Sequence, residues 1–414
     1  MKHLILSVAG LGWRDIEMRH LTRLCGLALK PAESLFPAVT CTVQAGFRTA
    51  STADRHGMVC NGVFSRELQR PSFWEQSANL VRGPRIWERA RKKGKSVALL
   101  FWQQSLGEDA DYLVSPAPIH KHGGGMIMEN YTSPPEAAPL LKRECGPFPL
   151  HRYWGPLASP SVGDRVTRNI EVLCRNYSPD IVFAYLPTLD YDLQRFGPND
   201  SRCEKSFRIL ERQLERLAGL AQEMGADLTL FGDYAITEVT RPVSQPNILL
   251  RKAGLFKTRS IRGMAYPDFY TSRAFAMADH ALAHLYLRDP AEREEVAGLF
   301  EKAGYEVLRR EETSEWNHPT AGDLLLLAPR GSWCDYRWWS DPREAPDFAG
   351  HVDIHSKPGY DPCELFFAPS LLPKVSQDPG RVKGTHGRKC TVAYASSLNV
   401  SSQLELAGAL KEIL

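Results

Sequence analysis

No charge of one sign dominates this 414-residue chain: 51 Lys and Arg stand against 48 Asp and Glu, for a formal net charge of +3. Nucleic acid as the main partner would call for a basic footprint, and there is none to argue from. Cysteine pairing is missing as well. The nine cysteines are odd in number and contain no CxxC spacing. That excludes a disulfide framework or a zinc knuckle built on such pairs, and it points to reduced thiols in a cytoplasmic protein. Long apolar runs are also lacking. The opening MKHLILSVAGLGW holds a run too short to span a bilayer, with no secretory cleavage pattern, so neither a membrane partner nor a leader is expected. There is no internal repeat and no long low-complexity stretch. The balance of 43% hydrophobic and 24% charged residues is that of a globular chain, not a disordered or fibrous one. The length allows two or three domains, or one large core with an insert.

Short apolar runs alternate with amphipathic stretches. KHLILSV, KSVALLFW, PDIVFAYL and DLTLFG suit strands buried on both faces, as in a parallel sheet covered by helices. CEKSFRILERQLERLAGLAQEMG places Phe207, Leu210, Leu214, Leu217 and Leu220 at helical spacing, with Gly225 where the helix should stop. The pattern predicts an α/β sandwich. From residue 241 to 346 the texture changes to that of a smaller α+β unit, read as a cap inserted into a discontinuous core of 1–240 and 347–414. SQLELAGALKEIL reads as a closing helix.

In a parallel α/β sheet, ligands gather at the carboxyl ends of the strands. Four places offer polar groups there. In PAVTCTVQAGFRT, Thr40 opens a helix whose free N–H groups and dipole favour an anion such as phosphate. An N-cap threonine is the plainer reading, and Cys41 is a rival nucleophile. Asn61 lies in a Gly-flanked turn, from which its amide can donate to an oxyanion. Asp190, Asp192 and Asp233 follow apolar runs, so they suit either a hard or borderline cation or helix capping. His386 sits in GTHGR, between glycines.

PAVTCTVQAGFRT followed by RHGMVCNG resembles the nucleophile region of the type I phosphodiesterase/nucleotide pyrophosphatase family, within the alkaline phosphatase superfamily. The family's Asp-x-x-x-His-x-x-Gly-Pro segment is similar to Asp190 through Pro198. Its Ser-Asp-His-Gly segment is similar to Gly232 through Ala235, and its terminal His-Gly loop to His386-Gly387. The resemblance implies an alkaline-phosphatase-like three-layer αβα sandwich with a mostly parallel sheet. It implies a phosphothreonine intermediate on Thr40, with Asn61 and the Thr40 amide at the nonbridging oxygen. It also implies one or two divalent ions, zinc by expectation, with Asp190 and His386 on one and Asp233 on the other.

Three positions depart from the family pattern. Ala9 stands where the first strand should end in Asp, Gln194 replaces the His after Asp190, and Tyr234 replaces the His after Asp233. An amide oxygen such as that of Gln194 is a poor substitute for imidazole at zinc. His351, Asp353 and His355 would share one face of an extended segment, which makes Asp353 and His355 candidate replacement ligands. Asp279, His280 and His284 read as ordinary strand and surface residues of the insert. The aromatic group Trp333, Tyr336, Trp338 and Trp339 reads as packing between insert and core, and GGG at 123–125 as a loop with no phosphate-loop Lys-Ser/Thr after it.

The expected function is metal-dependent hydrolysis of phosphodiester, pyrophosphate or related phosphoryl bonds in a small phosphorylated substrate. The competing reading is a degenerate member that binds a phospho-ligand without turning it over. An arylsulfatase is disfavoured, because Cys41-Thr42-Val43 lacks the Cys/Ser-x-Pro-x-Arg pattern, and nothing positive supports a lyase or transferase.

Overall fold

A computed structural model of the chain describes residues 1–123, 125–369 and 373–414; Gly124 of the 123–125 loop lies outside them. Eight strands form one sheet in the spatial order Asn130–Ser133, Tyr112–Pro116, Val97–Leu100, Ile181–Leu186, Lys2–Val8, Ala226–Gly232, Thr391–Ala395, Lys30–Glu33. The five strands from Tyr112–Pro116 to Ala226–Gly232 run parallel, and antiparallel strands close both sides. Every residue of Ile181–Leu186 is buried, as the unbroken apolar run requires of a strand covered on both faces.

Side-chain alternation sorts the central strand between two layers. Leu4, Leu6 and Val8 join Val166, Ile170, Leu210, Leu214 and Leu217 of the helices Val162–Tyr177 and Cys203–Met224. Ile5 points the other way, to Val43 and Phe47 of the helix Thr40–Thr49 and to Leu406 and Leu410 of Gln403–Ile413. The long helix ends as its sequence predicts, at Gly225 with φ +62°.

A second, antiparallel sheet has the order Ala274–Asp279, Leu282–Leu287, Leu324–Leu327, Glu306–Arg309, with the helix Arg293–Lys302 beside it. Its core is shared with Phe36, Val39, Val59 and Phe64, so this sheet packs against the segments on either side of Thr40. Tyr336, Trp338 and Trp339 lie in that shared core, and Trp333 in a small satellite with Cys363 and Val382. Among the described residues, no helix is long and apolar enough to cross a membrane.

Register sets where the site forms. Val8 pairs with both Leu186 and Gly232, so three adjacent parallel strands release the chain at one level. Ala9, the Asp190 loop and Asp233 therefore emerge side by side. Gly232 is needed at this point, because a Cβ there would lie 2.1 Å from the Leu11 carbonyl oxygen.

Candidate active site

Thr40 is the first residue of the ten-residue helix Thr40–Thr49. Its neighbour's amide, Cys41 N–H, donates to Asn61 Oδ1 at 2.9 Å. The amides of Thr40 and Thr42 have no acceptor among the described residues, which leaves two first-turn donors for an anion. The rival nucleophile Cys41 is fully buried, its sulfur receives the Gln104 amide at 3.0 Å, and burial pushes its thiol up to about 12. A thiol held neutral in this way is a structural one.

From Thr40 a chain of hydrogen bonds crosses the ends of the strands. Thr40 Oγ1 donates to the Tyr234 hydroxyl at 3.4 Å, and that hydroxyl donates to Asp190 Oδ1 at 2.9 Å. Asp190 Oδ1 also accepts from Gln194 Nε2 at 2.9 Å, one helical turn along Asp190–Phe196. The other end of Gln194 is taken too, its Oε1 accepting from the Tyr360 hydroxyl at 2.8 Å. Asp233 Oδ1 accepts from the amides of Gly10 (3.2 Å) and Tyr234 (2.9 Å), while its Oδ2 is buried without a partner among the described residues. Burial holds both carboxyls above their ordinary range, Asp233 well above it.

Four rings pile up through this region, the outer two contacts stacked and the middle one tilted. Tyr234 lies on His386 (centroids 3.5 Å apart, 4° between planes), His386 on His280 (3.6 Å, 35°) and His280 on Tyr360 (3.8 Å, 24°). His386 Nδ1 donates to the Ala38 carbonyl at 2.9 Å, and Nε2 of both histidines is buried and unpartnered among the described residues. Burial pushes His386 well below the usual histidine range, so it is neutral.

Thr40, Asp190, Tyr234, His280 and His386 open on one pocket, walled by Trp74, Tyr153, Trp154, Tyr185, Tyr191 and Tyr360. The structure thus gathers Thr40, Asp190, Gln194, Asp233 and His386, drawn from four separate stretches of sequence. Asn61 is nearby but does not line this pocket. One N–H of its Nδ2 donates to Asp279 Oδ1 at 3.0 Å, and its Oδ1 holds the Cys41 amide, so it fixes the start of the Thr40 helix.

The insert's residues need correction. Asp279 and His280 are not ordinary surface positions: they end the strand Ala274–Asp279 and start its hairpin turn, which reaches into the site. Asp279 is fully buried and accepts from Asn61 N (2.8 Å) as well as from its side chain, and it pairs with His280 Nδ1 at 2.7 Å. A hairpin apex carries no sequence sign of what it touches, so only the Asp-His pair itself could have drawn attention. The next strand, Leu282–Leu287, is buried throughout.

His284 is equally internal. Its Nε2 donates to Val59 O at 3.1 Å, its Nδ1 accepts from Gly322 N at 3.3 Å, and burial lowers its pKa to about 4. The unfolded chain protonates this residue first, near its ordinary value, so His284 should destabilise the fold as pH falls from 6.5 to about 4. The expected slope is up to ~1.4 kcal/mol per pH unit. Denaturant titrations of wild type and His284→Gln at pH 7 and pH 4.5 check this: the variant should lose less on acidification, and equal losses would refute it.

The HxDxH segment also departs from its expected form. Residues 351–355 are bend and turn, not strand. Asp353 caps Ser356 N at 3.0 Å, while His355 lines the pocket with its Nδ1 at 3.2 Å from Phe73 O. Pro358 and Gly359 follow closely, and an extended ladder does not continue through them.

These donors do not fit the family's pair of ions. For one site, Gln194 Oε1 is already bonded to Tyr360, leaving an Asp190 oxygen and His386 Nε2. For the other, Ala9 offers nothing, leaving Asp233 Oδ2 and Thr40. Two protein ligands apiece fall short of the three that a catalytic zinc keeps. His280 does not make up the number, because among the described residues it forms no ion-holding group of three with Asp190 and His386. Among the described residues, no group of three or more His, Cys, Asp or Glu is placed to hold a metal. The zinc expectation, and the ligand roles of Asp353 and His355, are not supported by this geometry.

Solved structures share the whole architecture. Murine ectonucleotide pyrophosphatase/phosphodiesterase 5 superposes with a TM-score of 0.60 at 13% identity, covering 100% of this chain and 95% of that one. Its complex with AMP gives 0.59 at 14%, with the same coverage. Phosphonoacetate hydrolase from Sinorhizobium meliloti 1021, bound to phosphonoacetate, gives 0.64 at 15%, again over 100% and 95%. No curated protein sequence matches the chain. The fold is therefore the alkaline-phosphatase-like α/β sandwich. Residues 3–361 match the type I phosphodiesterase/nucleotide pyrophosphatase family, and the chain belongs to that family of phosphodiester- and pyrophosphate-cleaving hydrolases.

Proposed function

We propose that this chain hydrolyses phosphodiester or pyrophosphate bonds in small, nucleotide-like phosphorylated substrates, with Thr40 as nucleophile. One observation carries the reading: the Thr40 hydroxyl faces the pocket at the N-terminus of its helix, beside two amides free to meet a phosphoryl oxygen. In the first step Thr40 Oγ bonds to phosphorus and gives up its hydroxyl proton to solvent, the P–O bond to the leaving group breaks, and the leaving oxygen takes up a proton. Water then attacks phosphorus, the P–Oγ bond breaks, and the threonine hydroxyl is restored. The aromatic wall suits an organic substituent on the phosphoryl group. The AMP held by the murine protein and the phosphonoacetate held by the bacterial one support this class of ligand.

No step runs through a metal, although divalent-metal dependence is typical of the family, because the donors present fall short of a site. Residues 241–346 act in this reading as a cap that delivers His280 to a core of 1–240 and 347–414. A reducing, cytoplasmic setting accords with nine unpaired thiols.

A second reading, a phospho-ligand binder without turnover, is favoured by one specific feature: Asn61 does not line the pocket, and its amide is engaged by Asp279. Release of p-nitrophenol from bis(p-nitrophenyl) phosphate separates the two. The hydrolase reading expects diester turnover at least about tenfold above that of p-nitrophenyl phosphate, a gap of ~1.4 kcal/mol in the barrier. Saturable AMP binding with no release from either compound would establish the binder.

A further inference from the structure

The position that the family fills with a metal-binding imidazole carries a phenol here, and that phenol is not idle. Tyr234 is fully buried, stacks flat on His386, donates to Asp190 and accepts from Thr40. A bound ion would hold a nucleophilic hydroxyl and a carboxylate by attracting both. A hydroxyl can join the same two groups, because it donates one hydrogen bond while accepting another.

We propose that the Tyr234 hydroxyl takes the place of the ion that would have held Thr40 beside Asp233 and ties Thr40 to Asp190 instead, so that the chain orients its nucleophile without a bound ion. Three features of the site point the same way. The Asp190 oxygen that meets Tyr234 also takes the Gln194 amide, and the Gln194 carbonyl that could have met an ion is satisfied by Tyr360. Ala9, at the level where the strands end, removes the carboxylate that would have neutralised a second ion. His386, clamped between Tyr234 and His280, serves as a packing plate whose ring plane is fixed from both sides. The substitutions at 9, 194 and 234 thus form one concerted change rather than three separate losses. In this arrangement Tyr234 is a positioning residue. With the Thr40 proton held on the phenol oxygen, a lone pair of Oγ is left toward the pocket.

The proposal rests on Thr40 being the nucleophile, and its test keeps the two apart. Metal-stripped wild-type protein is dialysed against zinc and against manganese, and bound metal is measured per chain, together with diester turnover with and without chelator. The expected result is less than about 0.1 ion per chain at micromolar metal, against about 1–2 for Ala9→Asp/Gln194→His/Tyr234→His, whose donors would complete both sites. Chelator should leave wild-type turnover unchanged. Tyr234→Phe should lower kcat about tenfold or more, with KM within about threefold, the pattern of a group that acts on the nucleophile rather than on substrate binding.

Stoichiometric zinc or manganese in the wild type, or turnover lost to chelator and restored by metal, would overturn the replacement while leaving Thr40 as nucleophile. Full activity in Tyr234→Phe would overturn it as well. No bound ion and no turnover would defeat the hydrolase reading and, with it, the positioning role of Tyr234. Should the triple variant fail to fold, the wild-type metal content and Tyr234→Phe still decide the matter.

Discussion

Thr40→Ala is expected to lower kcat/KM for diesters about 10³-fold or more, because it removes the protein atom that bonds to phosphorus. Stability should change little. Thr40 is the first residue of its helix, a position that alanine fills readily, and Tyr234 keeps its bond to Asp190 when the Thr40 hydroxyl is gone. Thr40→Ser should stay within about tenfold of wild type, since the hydroxyl is retained and only its rotamer freedom grows. Steady-state kinetics beside thermal melts check both. A Thr40→Ala enzyme with more than about a tenth of wild-type activity would remove Thr40 from the chemistry.

The largest stability effect is expected at Lys357, on the rim of the same pocket. Its side chain is 1% exposed, and its ammonium lies 3.0 Å from Asp361 Oδ2 and 2.7 Å from Glu364 Oε1. One buried cation therefore balances two buried carboxylates. Lys357→Met leaves both acids without it and should cost about 3–5 kcal/mol, the usual penalty for breaking a buried ion group from one side. Even with Lys357 in place, burial pushes Glu364 up to about 7.

A carboxyl raised in the folded state is favoured when protonated, so its contribution weakens as pH rises from the unfolded value near 4.5 through 7. The loss in Lys357→Met should accordingly be larger at pH 8 than at pH 5.5. Adding Glu364→Gln should recover part of it. Denaturant unfolding of the three proteins at both pH values measures this. A loss under about 1 kcal/mol in the single variant would contradict the triad.

Much of this was legible in the sequence, for physical reasons that differ by element. Strands such as Ile181–Leu186 announce themselves because burial on both faces demands an unbroken apolar run. The helix Cys203–Met224 shows itself by its apolar stripe and closing glycine. Thr40, Asp190, Asp233 and His386 could be drawn together before any coordinates, because residues that follow strands of a parallel sheet share one rim, and the motif order marked which ones. Gln194 and Tyr234 were visible as departures from the family pattern, though not the contacts they form instead.

What escaped was long-range. The Asp279–His280 turn reads as hairpin punctuation, and only the docking of the second sheet beside Thr40 brings it against Asn61 and His386. The 351–355 segment misled through its alternation, a pattern that a turn can share with a strand when only three polar residues define it. The pocket's aromatic wall, from Trp74 to Tyr360, is scattered along nearly three hundred positions and carries no local pattern at all.

If Thr40 carries the phosphoryl group, a covalent intermediate forms on it. Wild-type protein mixed with bis(p-nitrophenyl) phosphate is quenched in acid during the first turnover, digested, and its peptides weighed by mass spectrometry. A phosphoryl adduct on Thr40 is expected, forming with the first release of p-nitrophenol and decaying as the monoester appears. First-turnover product with no adduct on Thr40, or an adduct on Cys41 or any other side chain, would contradict it.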